Sequence, residues 1–288
     1  MLSATTFATN QNQGTTMSTI QTIAGLDVHL DGHGEQLLLM VHGWPDTHDI
    51  WDAQIPAFAP HYRCARFTLP NYATRGTHQA YSIDAIAELI NQVVDALSPN
   101  RPIVLMIHDW GCAFGYQFYR LYPHKVAQII SLDIGDAMSR AHIKELKAYQ
   151  MAMIATYQLS LATTWLMPET LGTGVARGFA KLLQHHNPSQ VHRGMSYPYF
   201  MAWFKALSHP IKPFSDVPAC PMLFLYAKHK PLMFHSKHWL GNIAAQQGNQ
   251  VIGMKAGHWI MREIPQEFNQ TVAAWLEATR PTALSDQD

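Results

Sequence analysis

Charge is scarce in these 288 residues: 14% are Asp, Glu, Lys or Arg, and twenty acidic side chains balance twenty basic ones. A chain with no basic excess and no Lys/Arg cluster has no electrostatic footprint for nucleic acid or an anionic membrane. The expected partner is a small, uncharged, apolar substrate, and the chain is read as a monomer or a homodimer. Cysteine is scarcer still. Cys64, Cys112 and Cys220 are odd in number and lack metal-ligand spacing, which argues against a disulfide framework and for a reducing, cytoplasmic compartment. No repeat is present, and the longest weakly polar run, Met151 to Met167, carries Gln158, Ser160 and threonines that keep it short of a membrane span. Residues 1–18 are rich in Ser, Thr, Asn and Gln without the basic and apolar regions of a secretory signal, so a disordered tail is expected, with Met17 an alternative start. The sequence also lacks any Gly-x-Ser-x-Gly: the nearest approach, Gly194-Met-Ser196-Tyr-Pro198, has no second glycine.

What is present is a set of strand-to-loop junctions that end in chemistry. Arg101-Pro-Ile-Val-Leu-Met-Ile-His-Asp109-Trp110-Gly reads as a buried strand, a tight turn and a helix. A carboxylate at the apex of such a turn meets the backbone N–H groups that open the helix, which keeps it ionised, although Asp is also an ordinary helix N-cap. Upstream, Leu37 to Val41 is a second buried strand, opening into His42-Gly43-Trp44-Pro45-Asp46. Downstream, Val251-Ile-Gly-Met precedes Gly257-His258-Trp259, ahead of a helix beginning near Pro265.

In this order and strand context, from about Ile23 to Ala278, the segments resemble the α/β-hydrolase superfamily. The resemblance implies a mostly parallel central sheet with helices on both faces and a helical cap insertion. With no serine elbow, and with Cys112 three residues past the apex in a packing position, His-Asp-Trp-Gly preceded by His-Gly-Trp-Pro is similar to the epoxide hydrolases and haloalkane dehalogenases, which use an aspartate nucleophile and no cofactor. Asp109 is then the nucleophile, and His258 activates water against the resulting alkyl-enzyme ester. The backbone N–H groups of Trp44 and Trp110 form the oxyanion hole. The core is expected over 19–136 and 218–288, with the cap over 137–217.

The third catalytic residue departs from the commoner pattern. After the strand Pro221 to Tyr226, where resembling proteins often carry an aspartate, the chain reads Ala227-Lys-His-Lys230-Pro, and a cation cannot accept an imidazole N–H. The strand Val126 to Leu132 ends instead in Asp133 and Asp136, and Asp133 is the expected acid. The family's cap tyrosines, which hydrogen-bond an epoxide oxygen, are expected at Tyr157 and Tyr197, with Tyr199 the alternative to Tyr197. His185, His186 and His192 have no acid or cysteine at ligand spacing nearby in the sequence, so no metal is expected there.

Haloalkane dehalogenation is the rival reading. The Asp133 position favours it, whereas Trp44, where dehalogenases commonly have Asn, favours epoxide opening together with the tyrosines. A hydrolase-fold binding or signalling protein with little catalysis is the alternative of another class. Ile107, two residues before the apex, stands where a small residue usually relieves crowding, and Thr68 to Arg75 replaces a more familiar acidic, Gly-rich segment.

Overall fold

The computed structural model describes residues 18–73 and 78–280. The expected N-terminal tail, apart from its last residue, and the end of the Thr68 to Arg75 segment lie outside the described residues. Among those described, eight strands form one sheet: β1 (Thr19–Ile23), β2 (Leu26–Asp31), β3 (Leu37–Val41), β4 (Arg63–Phe67), β5 (Ile103–His108), β6 (Val126–Leu132), β7 (Met222–Ala227) and β8 (Gln250–Met254). Their spatial order is β1-β2-β4-β3-β5-β6-β7-β8, antiparallel from β1 to β4 and parallel from β4 to β8. This is the α/β architecture expected from the sequence.

The central strands are continuous apolar runs because both sheet faces are covered. Alternate residues go to opposite sides: Leu39, Val41, Leu105 and Ile107 pack into one core, while Leu38, Met40, Val104 and Met106 pack into the other. The first core is covered by helices Ile83–Leu97 and Trp110–Leu121, the second by the helix Pro265–Ala278. Ser82 caps the first of these helices by accepting the Ala85 N–H. With the parallel strands all pointing one way, the loops after β3, β5, β6, β7 and β8 emerge along one edge of the sheet, the usual place for a site in an open α/β sheet.

Between β6 and β7 the chain leaves the sheet for a mostly helical insertion built from Arg140–Glu145, Ala148–Thr164, Glu169–Leu182 and Tyr197–Phe204. No helix among the described residues is long and apolar enough to cross a membrane.

The crowding expected from Ile107 is taken up by the facing helix. A Cβ built on Gly115 would lie 2.6 Å from Ile107 Cγ2, so the large residue on the strand is matched by the absence of a side chain one turn into the helix. Gly115→Ala should therefore lower stability by about 1–3 kcal/mol through overpacking, against its gain in helix propensity. The same Gly115→Ala change should cost less in an Ile107→Ala background, where the clash is gone, although Ile107→Ala is itself destabilising. A denaturant double-mutant cycle showing additive effects would disconnect the two positions.

Candidate active site

The turn at the end of β5 puts Asp109 in a left-handed conformation, φ 53° and ψ −124°, unusual for a residue with a side chain. The turn after β3 approaches it so closely that a Cβ on Gly43 would lie 2.4 Å from both Asp109 Oδ1 and the Trp110 backbone nitrogen. Only glycine allows this contact. It lets the Trp44 N–H donate to Asp109 Oδ1 at 2.7 Å and brings the Trp110 N–H alongside. The nearby His42 has a single tautomer: Leu69 N–H donates to its Nε2, leaving the Nδ1–H for Gly43 O. Burial pushes this imidazole down to about 4, so it is neutral and serves as a brace for the turn.

His258 follows β8. Its Nε2 lies 3.4 Å from Asp109 Oδ2 and its Nδ1 lies 2.5 Å from Asp133 Oδ2. Burial alone would lower the histidine pKa, but the hydrogen bonds and charges of Asp109 and Asp133 raise it to about 9. Asp133 is fully buried at the end of β6, with φ 73°, and its Oδ1 accepts the Ala227 N–H at 2.9 Å. Burial pushes its carboxyl up, yet the adjoining Lys230 ammonium and His258 hold it well below the usual carboxylate range. Lys230 Nζ stands 2.6 Å from the same Oδ2. From the preceding strand residue of the elbow, His108 Nε2–H donates to the His258 carbonyl at 3.0 Å and ties the loop down.

Asp136 does something different. Its Oδ1 accepts Ser236 N–H, and its Oδ2 accepts the Ser139 and Ser236 hydroxyls at 2.6 and 2.7 Å. It is a buried tie between the loops that follow β6 and β7. Cys112 is also buried, with Sγ on Leu132 O and Ser131 Oγ, and burial pushes its thiol up to about 12, leaving no thiolate to attack anything. Ser196, the residue of the imperfect serine motif, is buried in the turn before Tyr197–Phe204.

A cavity of about 1080 Å³ lies between these loops and the insertion, lined by Asp109, His258, Trp44, Tyr157, Tyr199 and mostly apolar side chains such as Phe179 and Leu232. The choice of Tyr197 is corrected here. Tyr197 and Tyr199 are two residues apart on one helix, hence on opposite sides of it. Tyr197 packs against Tyr72, Tyr81 and Trp165, away from the cavity. Tyr199 stands edge-on to Trp44, Trp110 and Tyr157. Burial, then the Asp109 charge, push the Tyr199 hydroxyl well above its ordinary range; burial does the same for Tyr157. Both remain neutral phenols.

The residues that sequence reasoning passed over arrive from distant segments. The acid missing near the insertion histidines is Asp46: its Oδ1 accepts His185 Nε2–H at 3.0 Å and lies 4.0 Å from His186 Nδ1, while its Oδ2 accepts the Trp259 indole at 3.0 Å. Asn187 N–H donates to His185 Nδ1, which fixes the proton on Nε2. Lys230 was legible only as an obstacle to placing the acid after β7.

The family described as alpha/beta hydrolase fold matches residues 36–263. A 101-residue stretch is 34% identical to epoxide hydrolase 1 of Caenorhabditis elegans, covering 34% of this chain but only 25% of that protein. Epoxide hydrolase 3 of Mus musculus is 22% identical over 286 residues, covering 88% of this chain and 75% of the relative. The crystal structure of an epoxide hydrolase from Bacillus megaterium superposes with a TM-score of 0.66 at 21% identity, covering 90% of this chain and all of that one.

The two carboxylates of the β6 loop should separate cleanly on substitution. Asp136→Asn should cost about 1–3 kcal/mol of stability by leaving buried hydroxyl and amide donors poorly matched, with the His258 titration unchanged. Asp133→Asn should lower the His258 pKa. Denaturation and imidazole NMR on both variants check this, and an unmoved His258 in Asp133→Asn would contradict it.

Proposed function

Because the chain belongs to the α/β-hydrolase fold family, we propose that it is a cofactor-independent hydrolase opening a small, apolar epoxide through a covalent ester on Asp109. The observation that carries this is the apex itself: an aspartate stands where a hydrolase elbow holds its nucleophile, one oxygen on the Trp44 N–H and the other facing His258. Helices between β6 and β7 act as the cap over a mostly apolar cavity.

Asp109 Oδ2 attacks an epoxide carbon, the carbon–oxygen bond breaks, and the leaving alkoxide takes a proton from a Tyr157 or Tyr199 phenol. Oδ1 stays on the Trp44 N–H as the ester carbonyl. Water entering between the ester and His258 gives its proton to Nε2 as its oxygen attacks Cγ of Asp109. The Trp44 and Trp110 N–H groups hold the oxyanion that forms, and Asp133 holds the imidazolium. On collapse the imidazolium gives its proton to the departing ester oxygen, releasing the diol, and the second proton of the water passes from the Asp109 carboxyl to His258, restoring the carboxylate and the imidazolium.

In the free enzyme Asp109 supports a protonated His258. Ester formation removes the Asp109 charge, and the imidazolium passes its proton to the tyrosinate that protonated the alkoxide, so the histidine is neutral when it must act as a base.

Haloalkane dehalogenation uses indole N–H groups to hold the departing halide. Here the Trp110 ring stands edge-on to Tyr199, and the Trp44 indole nitrogen is buried without a partner among the described residues. The Tyr157 and Tyr199 side chains in the cavity lining are what favours the epoxide. A pure binding protein has no use for an ionised apex carboxylate paired with a histidine and a second buried acid, and turnover separates these readings.

His258→Gln should alkylate and then stall. Intact mass should show one adduct per chain, located on the Asp109 peptide, and Asp109→Ala should show none; a fully active His258→Gln would remove the histidine from this step. Tyr199→Phe and Tyr157→Phe should each slow epoxide opening by roughly a hundredfold, with Tyr197→Phe near wild type. Equal losses at all three positions would place the proton donor elsewhere.

A further inference from the structure

The most unusual group beside the proposed active site is an ammonium. Lys230 leaves the loop after β7, with its side chain only 10% exposed, and places Nζ 2.6 Å from Asp133 Oδ2, the same oxygen that lies 2.5 Å from His258 Nδ1. Phe234 stacks beneath the ammonium at 5.4 Å, and the backbone around it is fixed by the His229 N–H on Ala256 O. Two cationic groups thus share one oxygen of one buried carboxylate, while the other oxygen is already occupied by the Ala227 N–H.

We propose that Lys230 is a positioning residue whose ammonium, by sharing Oδ2 of Asp133 with His258, leaves the Asp109 ester state with one cation too many and so drives His258 to the neutral form that activates water. This rests on the covalent reading given above. The charge balance is simple. Before reaction, Asp109 and Asp133 offset His258 and Lys230. Esterification neutralises Asp109, leaving Asp133 as the one carboxylate shared by two cations at short range, and the cheapest relief is passage of the imidazolium proton to the tyrosinate that protonated the alkoxide. Without Lys230, the same ester state holds one anion and one imidazolium, a balanced pair that keeps its proton.

Every element packed around His258 contributes to this balance: Asp109 and His108 from the elbow, Asp133 from the β6 loop, Lys230 and His235 from the loop after β7, Glu263 on the Gly257 N–H, and Tyr157 and Tyr199 from the insertion. His108 and His235 are both pushed down to about 4, by burial first and then by His258 and Lys230 respectively, so both are neutral near pH 7. Lys230 is the cation left to set against His258.

Asp109→Asn, with intact mass verifying that the amide persists, mimics the uncharged ester and needs no substrate. In that background the His258 imidazole is titrated by NMR, its resonance assigned from its loss in His258→Gln. Adding Lys230→Met should raise the His258 pKa by about one unit, a roughly tenfold loss of neutral imidazole below that pKa, and Lys230→Arg should leave it in place. Lys230→Gln carries the same comparison should the methionine variant fail to fold. A His258 titration that does not move, or moves down, in the neutral variants overturns the proposal; a purely structural lysine would lower the melting temperature in all variants and leave the titration where it was. In single turnover with Asp109 intact, Lys230→Met should hold its ester at pH 7 and release it as pH is raised, and release at the wild-type rate at pH 7 also overturns the proposal. If His258→Gln forms no adduct, the covalent reading fails, and the substrate-free titration still reports whether Lys230 sets the histidine.

Discussion

A carboxylate with no exposure to water cannot remain ionised unless positive charge is brought to it, and Asp133 organises the site through that requirement. It draws His258 from the loop after β8 and Lys230 from the loop after β7 onto a single oxygen, while a backbone N–H from the end of β7 occupies the other. Three neighbouring strands are therefore joined at their ends by one side chain. The same contacts orient the His258 ring, so that its second nitrogen faces Asp109 across 3.4 Å. Removing either cation would leave a buried anion underpaired. The acid thus needs both partners, and their loops have to meet.

The meeting is possible because parallel strands deliver all these loops to one edge of the sheet. Within that edge the tolerances are small. Asp109 occupies a left-handed backbone conformation in contact with a glycine turn, and a Cβ at Gly43 would collide with Asp109 Oδ1 and the Trp110 nitrogen and displace the Trp44 amide from the carboxylate. Asp46, one turn further along that loop, ties the insertion to the site through His185 and the histidine loop through Trp259. Burial pushes the Asp46 carboxyl up, but the His185 hydrogen bond holds it below the ordinary carboxylate range, so the link is between an anion and a donor. Asp46 thus links the insertion, the turn after β3 and Trp259 through one carboxylate.

Much of this was legible in the sequence because it depends on local pattern. Buried strands with apolar residues on both faces announce a parallel sheet, and the residues that stop them, Asp109, Asp133 and His258, mark the ends of β5, β6 and the loop after β8. Resemblance points to the end of this strand, Asp133 is preferred because Asp136 could begin the next segment, and in the structure the two differ by where the strand ends: Asp133 is the first residue past β6, while Asp136 lies far enough along to turn back onto Ser236. What pattern cannot carry is the meeting of segments far apart in the chain. Asp46 and His185 are 139 residues apart, and Lys230 and Asp133 come from different strands. Nothing in the residues near the insertion histidines foretold a carboxylate beside them.

Helical phase was the decisive omission for the tyrosines. Met195-Ser-Tyr197-Pro-Tyr199 offers two phenols, and motif spacing alone treats them as interchangeable, but a helix turns about 100° per residue and separates them by about 200°. One has to face the packing between the insertion and the segment after β4, and the other the cavity. Pro198 stands at the start of this helix, where its missing N–H costs nothing. Which face is which follows from size and partners: Tyr72, Tyr81 and Trp165 enclose Tyr197 completely, whereas Tyr199 meets Trp44 and Trp110, the residues whose backbone amides flank Asp109. The side chains of those two residues thereby orient a phenol of the insertion while their N–H groups address the carboxylate, so the donors proposed for the oxyanion and for the alkoxide are held in register by the same two tryptophans.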